Sequence, residues 1–181
     1  MKKLFYAMLQ ALEDGKDFVL CSIIASSGST PRGMGAKMAV FSNGETSETI
    51  GGGAVEYESI RLAMKALKEK TAFTKGFNLA PNQTADIGIC GGQVTVYFQY
   101  FSGDSPETLE AFKYIISLFG RDVNTWLITH IKEGGVKQMG IYEEGKGLVF
   151  AAGINEGEIK PLLKSSGILR SGEPAYYVEP L

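Results

Sequence analysis

The feature that most constrains the fold is an echo of the first half of the chain in the second. Asp17–Ile24 (DFVLCSII) resembles Asn124–Ile131 (NTWLITHI), with Phe18 set against Trp126 and Leu20 against Ile128. AKMAVFSNG resembles VKQMGIYEEG, pairing Met38 with Met139 and Gly44 with Gly145. Ile50-Gly51-Gly52-Gly53 resembles Phe150-Ala151-Ala152-Gly153, and GGQVTVYFQYF resembles SGEPAYYVEPL. Each half reads as strand, strand, short strand, helix, strand. The predicted fold class is α/β: a mixed twisted sheet flanked by helices, with internal pseudo-twofold duplication. Residues 1–181 form a single domain in this reading, with half-repeats over about 1–103 and 104–181.

Two helices precede strands. Leu4, Phe5, Met8, Leu9 and Leu12 recur at helical spacing and stop before Gly15. Ser105, Pro106 and Gly120 bracket a second helix with Leu109, Phe112, Ile116 and Phe119 on its apolar face. A third, AVEYESIRLAMKALKEK, carries Tyr57, Ile60, Met64 and Leu67 at the same period.

The halves differ where chemistry is expected. Only the first contains the glycine-rich loop SSGSTPRGMGAKMAVF, Ser26 to Phe41. Gly28, Gly33 and Gly35 let backbone N–H groups approach a ligand, and Pro31 fixes one turn dihedral. Arg32 and Lys37 place two cations at the rim, while Ser27, Ser29 and Thr30 offer hydroxyls. Such a loop suits an anionic, phosphate-bearing small molecule, although the same residues also suit a plain turn. Lys37 alternates with Ala36 and Met38, so the solvent face of a strand accounts for it equally well.

Gly51, Gly52 and Gly53 lead into the third helix, whose start is a natural anion site. Glu56, in its first turn, either stabilises the helix start or accepts hydrogen bonds from a ring N–H. A third corner, Gly88-Ile89-Cys90-Gly91-Gly92, opens into a strand. Cys90 lies between glycines, and a thiolate is a soft ligand for a metal or a carrier of sulfur. Cys21, in an apolar strand, reads as a buried small hydrophobe.

His130 has no serine or cysteine partner at a recognisable spacing and reads as a polar strand residue. Trp126, Tyr97, Phe98, Tyr100 and Phe101 read as core or subunit contact. Glu143 and Glu144 precede Gly145 and read as solvated turn residues. A formal charge of −2 with no basic stripe excludes a general attraction to nucleic acid. The N-terminus mimics a signal peptide only superficially, because Gln10, Glu13 and Asp14 interrupt it. No apolar run approaches the roughly 20 residues of a membrane span, so the expectation is a cytoplasmic protein without membrane contact.

SGSTPRGMGAKMAVF, GGGAVE and ICGGQVTVYFQ, in this order, resemble the N-terminal region of xanthine dehydrogenase accessory factors, the XdhC/CoxI family. The resemblance is close between Phe18 and Phe101. It is looser at Tyr177–Leu181, which resembles the run before that family's second domain. It implies an accessory protein that binds molybdopterin, the molybdenum cofactor, and helps deliver its sulfurated form to a molybdenum hydroxylase apoenzyme. Implied partners are that apoenzyme, a sulfur-donor protein and a second copy in a homodimer.

On this resemblance Ser27, Gly28, Ser29, Thr30, Arg32, Lys37, Gly51, Gly52, Gly53, Glu56, Gly91 and Gly92 would hold the cofactor. Cys90 would be the catalytic thiol and would face the metal. The sequence departs from the family in two places. Ala54 stands where members commonly carry cysteine, and the chain stops where longer members begin a Rossmann-type domain. These departures favour an alternative, a divergent scaffold or regulatory partner without cofactor chemistry.

Overall fold

The computed structural model describes residues 1–79, 92–134 and 139–181. Its first half runs α1 (Lys2–Glu13), β1 (Phe18–Ser27), β2 (Lys37–Phe41), β3 (Thr46–Glu48), α2 (Gly53–Glu69), β4 (Phe73–Asn78) and β5 (Gln93–Phe101). The second half repeats that order: α3 (Pro106–Leu118), β6 (Thr125–Ile131), β7 (Met139–Glu143), β8 (Gly147–Val149), α4 (Glu156–Ile159), β9 (Ile168–Arg170) and β10 (Ala175–Pro180). A short 3₁₀ turn, Lys160–Leu162, extends α4.

The α/β class and the duplication hold, but the strands divide into two sheets. Their orders are β3-β2-β1-β5-β4 and β8-β7-β6-β10-β9, the same topology twice. Every pairing is antiparallel. Each half also gains an edge strand absent from the sequence reading, β4 and β9. Both are short and largely unburied, so they lack the apolar alternation that marks a strand.

Successive residues of β1 face opposite ways. Phe18 and Leu20 face α1 and α3, together with Leu127, Met139 and Ile141 of the second sheet. Val19, Cys21 and Ile23 face α2 on the outer side. Further along, Ile24 and Tyr97 meet Tyr177, Ile131 and Leu169 directly. The sheets therefore touch at one end and are wedged apart by α1 and α3 at the other. α1 packs on α3 with the rings of Phe5 and Phe112 5.7 Å apart.

Facing and register correct the residue pairing between halves. Leu20 corresponds to Leu127 and Ile24 to Ile131, since each lies on the inner face. Phe18 is an inner residue, whereas Trp126 packs outward among the residues around α4, so these two are not equivalent. A one-residue slip reverses every side chain's face. The same slip separates Met38 from Met139, which occupies the place held by Lys37 in the first half. Tyr97 corresponds to Tyr177 and Gln99 to Glu179. The equivalence reaches backbone geometry, because Glu48 and Phe150 share left-handed φ values of 62° and 51°.

Helix faces differ from the sequence reading in a related way. In α2 the buried side is Ser59, Ala63 and Ala66, while Tyr57 is 75% exposed. Small residues let the helix lie close against β1, while Ile60 and Leu67 of the predicted face pack beside them, partly buried. In α3 the buried set is Thr108, Ala111, Phe112, Ile115 and Leu118, with the Ser105 hydroxyl accepting from the Thr108 N–H at 3.2 Å.

Three charged side chains are drawn inside. Lys37 forms an ion pair with Glu179 across the two sheets, both side chains being at most 5% exposed. The Lys37 ammonium also lies 5.3 Å from the centre of the Tyr177 ring, whose hydroxyl donates to Glu179 at 3.4 Å. Burial, followed by the Glu179 charge, pushes the Tyr177 phenol above its ordinary value. Glu143 is likewise buried, not a solvated turn residue. It accepts from the Tyr114 hydroxyl and pairs with Arg121 at 2.9 Å.

Two outcomes are expected. Glu179→Gln leaves the Lys37 charge buried and unpaired, so urea unfolding should show a loss of about 3–5 kcal/mol. Adding Lys37→Met, which reproduces the Met139 and Gln99 of the other half, should recover most of that loss. The Tyr114 hydrogen bond, then Arg121 and Lys146, hold Glu143 below its ordinary value of 4.5. A depressed carboxylate contributes stability above its unfolded pKa and loses it as pH falls through the folded one. The melting temperature of Glu143→Gln should therefore fall less steeply than wild type as pH drops below 4.5.

Candidate functional site

β1 and β2 form a hairpin whose long connection carries Gly28, Ser29, Thr30 and Arg32, with Ser27 and Lys37 at the strand ends. The hairpin is closed by Gly35 N–H to Ile23 O and Ile23 N–H to Ala36 O, both 2.9 Å. The Ser26 hydroxyl accepts from Met34 N–H at 3.2 Å, bracing the far side. Gly28, at φ 69°, turns the chain out of β1. Ser27, Gly28, Ser29 and Arg32 are exposed, and Thr30 is half-buried.

The loop leans on the second glycine corner. Gly51, Gly52 and Gly53 have φ values of 134°, 76° and 63°, a run that only glycine adopts without strain. A Cβ on Gly51 would lie 3.3 Å from Pro31 Cβ and 3.6 Å from the Arg32 backbone nitrogen. Gly92, the one described residue of the third corner, meets the same loop more tightly. A Cβ on Gly92 would lie 2.3 Å from Ser29 O and 2.8 Å from Ser27 O, so no larger residue fits there. Gly92 O also accepts from Leu79 N–H at 2.8 Å, tying the end of β4 to the start of β5. Cys90 and Gly91 lie outside the described residues.

Between these corners is a cleft of about 230 Å³ lined by Pro31, Arg32, Ile50, Gly51–Val55, Leu79 and Val94. Arg32 also borders a second depression of about 160 Å³ with Gly35, Ala36, Lys37, Glu48 and Thr49. Arg32 thus borders both hollows. The structure brings together Arg32, Gly51, Gly52, Gly53 and the Ser27–Thr30 segment with Gly92.

Two expectations need correction. The amides of the glycine turn are not all open to an anion. Gly51 N–H donates to the Thr49 hydroxyl oxygen and Gly52 N–H to Glu56 Oε2, each at 3.0 Å, and Thr49 in turn donates to Glu56. Glu56 therefore serves as the internal acceptor at the start of α2, where the helix dipole favours a carboxylate. Lys37, expected at the rim or on a solvent face, has its ammonium buried against Glu179. A charge at that depth requires a partner, and the second sheet supplies one.

Thr49, Ile50, Leu79 and Val94 were not singled out from the sequence. Thr49 had a readable signal, a hydroxyl two residues before a glycine in a side-chain turn. The apolar three had none, because only tertiary packing makes them walls. Cys21 is wholly buried, and burial pushes its thiol far above the ordinary value, leaving it inert as a nucleophile. His130 packs against Tyr176 with ring centres 5.0 Å apart. Tyr97, Phe98, Tyr100 and Phe101 are core residues. Among the described residues no group of three His, Cys, Asp or Glu could hold a metal ion. None of their helices is long and apolar enough to cross a membrane.

Residues 11–77 match the XdhC and CoxI family. The chain is 36% identical over 86 residues to the uncharacterized protein YqeB of Escherichia coli, covering 47% of this chain and 16% of that one. A crystal structure of a xanthine dehydrogenase from Bacillus halodurans resembles 97% of this chain and 52% of its own, with a TM-score of 0.72 and 16% identity. That likeness establishes the fold. The chain spans about half of that structure and a smaller share of the curated relative.

Gly92→Ala should force the Ser27–Thr30 backbone to move, lowering stability by about 2 kcal/mol or more in thermal or urea unfolding. Gly76→Ala, in β4 with nothing within 4 Å of the added carbon, should be neutral or slightly stabilising.

Proposed function

We propose, taking residues 11–77 as an XdhC and CoxI family region, that this chain is an accessory protein for maturation of a molybdenum hydroxylase such as xanthine dehydrogenase. Its task is to bind a molybdopterin-type cofactor and hand it to the apoenzyme, so no substrate turnover is required. The observation that carries the reading is the convergence of the corners: Gly51 lies against Pro31 and Arg32, and Gly92 against Ser27 and Ser29. A Cβ at either position would intrude on the loop that frames the cleft, so the backbone is shaped around a space.

The residues suit the group. Arg32, exposed beside both hollows, presents a planar fork that bonds two phosphate oxygens at once. Ser27, Ser29 and Thr30 offer hydroxyls beside it, and the N–H groups of Gly53, Ala54 and Val55 begin α2 without intrahelical acceptors. The bound cofactor would supply molybdenum and its exchangeable sulfur. Cys90, two residues before Gly92, is the thiol proposed to face the metal. The proposed setting is the cytoplasm, with the hydroxylase apoenzyme, a sulfur donor and a second copy of this chain as partners.

A second reading is favoured by the closure of the site on itself. Glu56 and Thr49 occupy two of the turn's amides, Lys37 is committed to Glu179, and Ala54 carries no thiol. A scaffold or regulatory partner would need none of these groups free. Protein purified from molybdate-fed cells separates the two readings by metal analysis and fluorescence of extracted pterin. The cofactor-binding reading expects both to co-purify and Arg32→Ala to lower occupancy about tenfold, the loss of a charge-assisted contact. Wild-type protein free of molybdenum and pterin, and unable to take up added cofactor, would establish the scaffold.

A further inference from the structure

We infer that Thr49 is a positioning residue of the site: its hydroxyl fixes the turn at Gly51 and Gly52, and the turn holds Pro31 and Arg32 in place. This rests on the cofactor-binding reading and adds to it a residue that acts through its neighbours.

The hydroxyl is used in both directions. A threonine oxygen has one proton to give and lone pairs with which to accept. Thr49 gives its proton to the Glu56 carboxylate and accepts from Gly51 N–H at 3.0 Å. Gly52 N–H donates to the same Glu56 oxygen, also at 3.0 Å. One side chain thus sets the direction of both the Gly51 amide and the Glu56 carboxylate. Gly51 carries that constraint to the loop, since a Cβ there would lie 3.3 Å from Pro31 Cβ and 3.5 Å from Arg32 Cγ. Thr49 and Arg32 also line the same depression of about 160 Å³.

The other half of the duplication shows that the fold does not need this latch. Strand register, with the left-handed Glu48 and Phe150 in equivalent places, sets Ala151 against Thr49 and Gly153 against Gly51. That register lies two residues from the match of the glycine runs. Here the turn is closed by backbone alone, with Ile154 N–H donating to Ala151 O at 3.0 Å. Ala151 has no hydroxyl, and its methyl lies 2.8 Å from where a Cβ on Gly140 would stand. A requirement of the fold would appear in both halves. The hydroxyl appears only in the half where Arg32 has to be placed.

The test compares variants of the whole chain purified from molybdate-fed cells: Thr49→Val, Thr49→Ser, Arg32→Ala, and Thr49→Val combined with Arg32→Ala. Thr49→Ala replaces the valine variant should the branched side chain perturb folding. Ser105→Ala is the control, because Ser105 caps α3, which does not line the cleft. Thr49→Val and Ser105→Ala should each lower the melting temperature by about 2–4 °C, the loss of one cap in a chain of this size. Only Thr49→Val should also lower molybdenum and pterin occupancy, by about tenfold, and the double variant should fall no further than Arg32→Ala alone. Thr49→Ser, which keeps the hydroxyl, should restore occupancy. In amide NMR spectra the Gly51 and Arg32 signals should move in Thr49→Val and return in Thr49→Ser.

Occupancy at the wild-type level in folded Thr49→Val overturns the proposal. Losses that multiply in the double variant overturn it too, because Thr49 would then act independently of Arg32. Wild-type protein that acquires no cofactor removes the delivery reading instead. In that event an Arg32 signal that moves with valine and returns with serine upholds the positioning, and one that never moves overturns it.

Discussion

Close backbone approach at two glycines is the constraint on which the site depends. At Gly92 the chain passes so near the carbonyls of Ser27 and Ser29 that a single methyl group would overlap them. At Gly51 the margin is wider, yet the residue still abuts Pro31 and the Arg32 backbone. Between these contacts the long hairpin connection is held against the start of α2 and the start of β5, and the cleft is what remains between them. Its walls come from segments far apart in sequence. Backbone sterics place Arg32 at the mouth, and no bond made by its own side chain is needed to do so.

The scaffold beneath is a duplicated half, and its departures from symmetry are informative. α1 and α3 meet across the pseudo-axis, and the two sheets carry identical strand order. Within that frame Met139 stands where the first half has Lys37, and Gln99 where the second has Glu179. One half thus contributes a cation and the other an anion to a single buried ion pair. Such a pair contributes little net stability over apolar substitutes, while the loss of either member is costly. It joins β2 of one sheet to β10 of the other at the base of the hairpin that carries the site. A Cβ on Gly35 would lie 3.3 Å from the Tyr177 hydroxyl, which shows how closely the second sheet supports that base.

Much of this was legible in the sequence. Helical periodicity located α1, α2 and α3, and Ser105 with Pro106 marked the start of α3 because capping chemistry is local. The glycine corners were visible as clusters, whereas the approach of Gly51 and Gly92 to the hairpin connection is a tertiary fact. The register between halves was harder, since matching aromatics such as Phe18 and Trp126 face opposite sides of their sheets. Ile60 and Leu67 of the predicted face of α2 do pack against the core, but its buried centre at Ser59, Ala63 and Ala66 was missed because these small residues gain their importance from proximity to β1, a tertiary fact. Lys37 and Glu143 read as surface charges because their partners, Glu179, Tyr114 and Arg121, come from distant positions. The apolar walls at Leu79 and Val94 carry no local signal of any kind.

The central claim is that the glycine-rich hairpin connection lies against both the start of α2 and the start of β5. A nitroxide label on Ser29→Cys, introduced into Cys21→Ser, Cys90→Ser protein, tests it directly through paramagnetic broadening of backbone amide signals. The account requires the signals of Gly92 and of Gly51–Val55 to be broadened together, while those of α4 on the far sheet stay sharp. Sharp signals at Gly92 or at Gly51–Val55 in a folded, labelled protein would show that the loop stands apart from them, and the cleft would not exist.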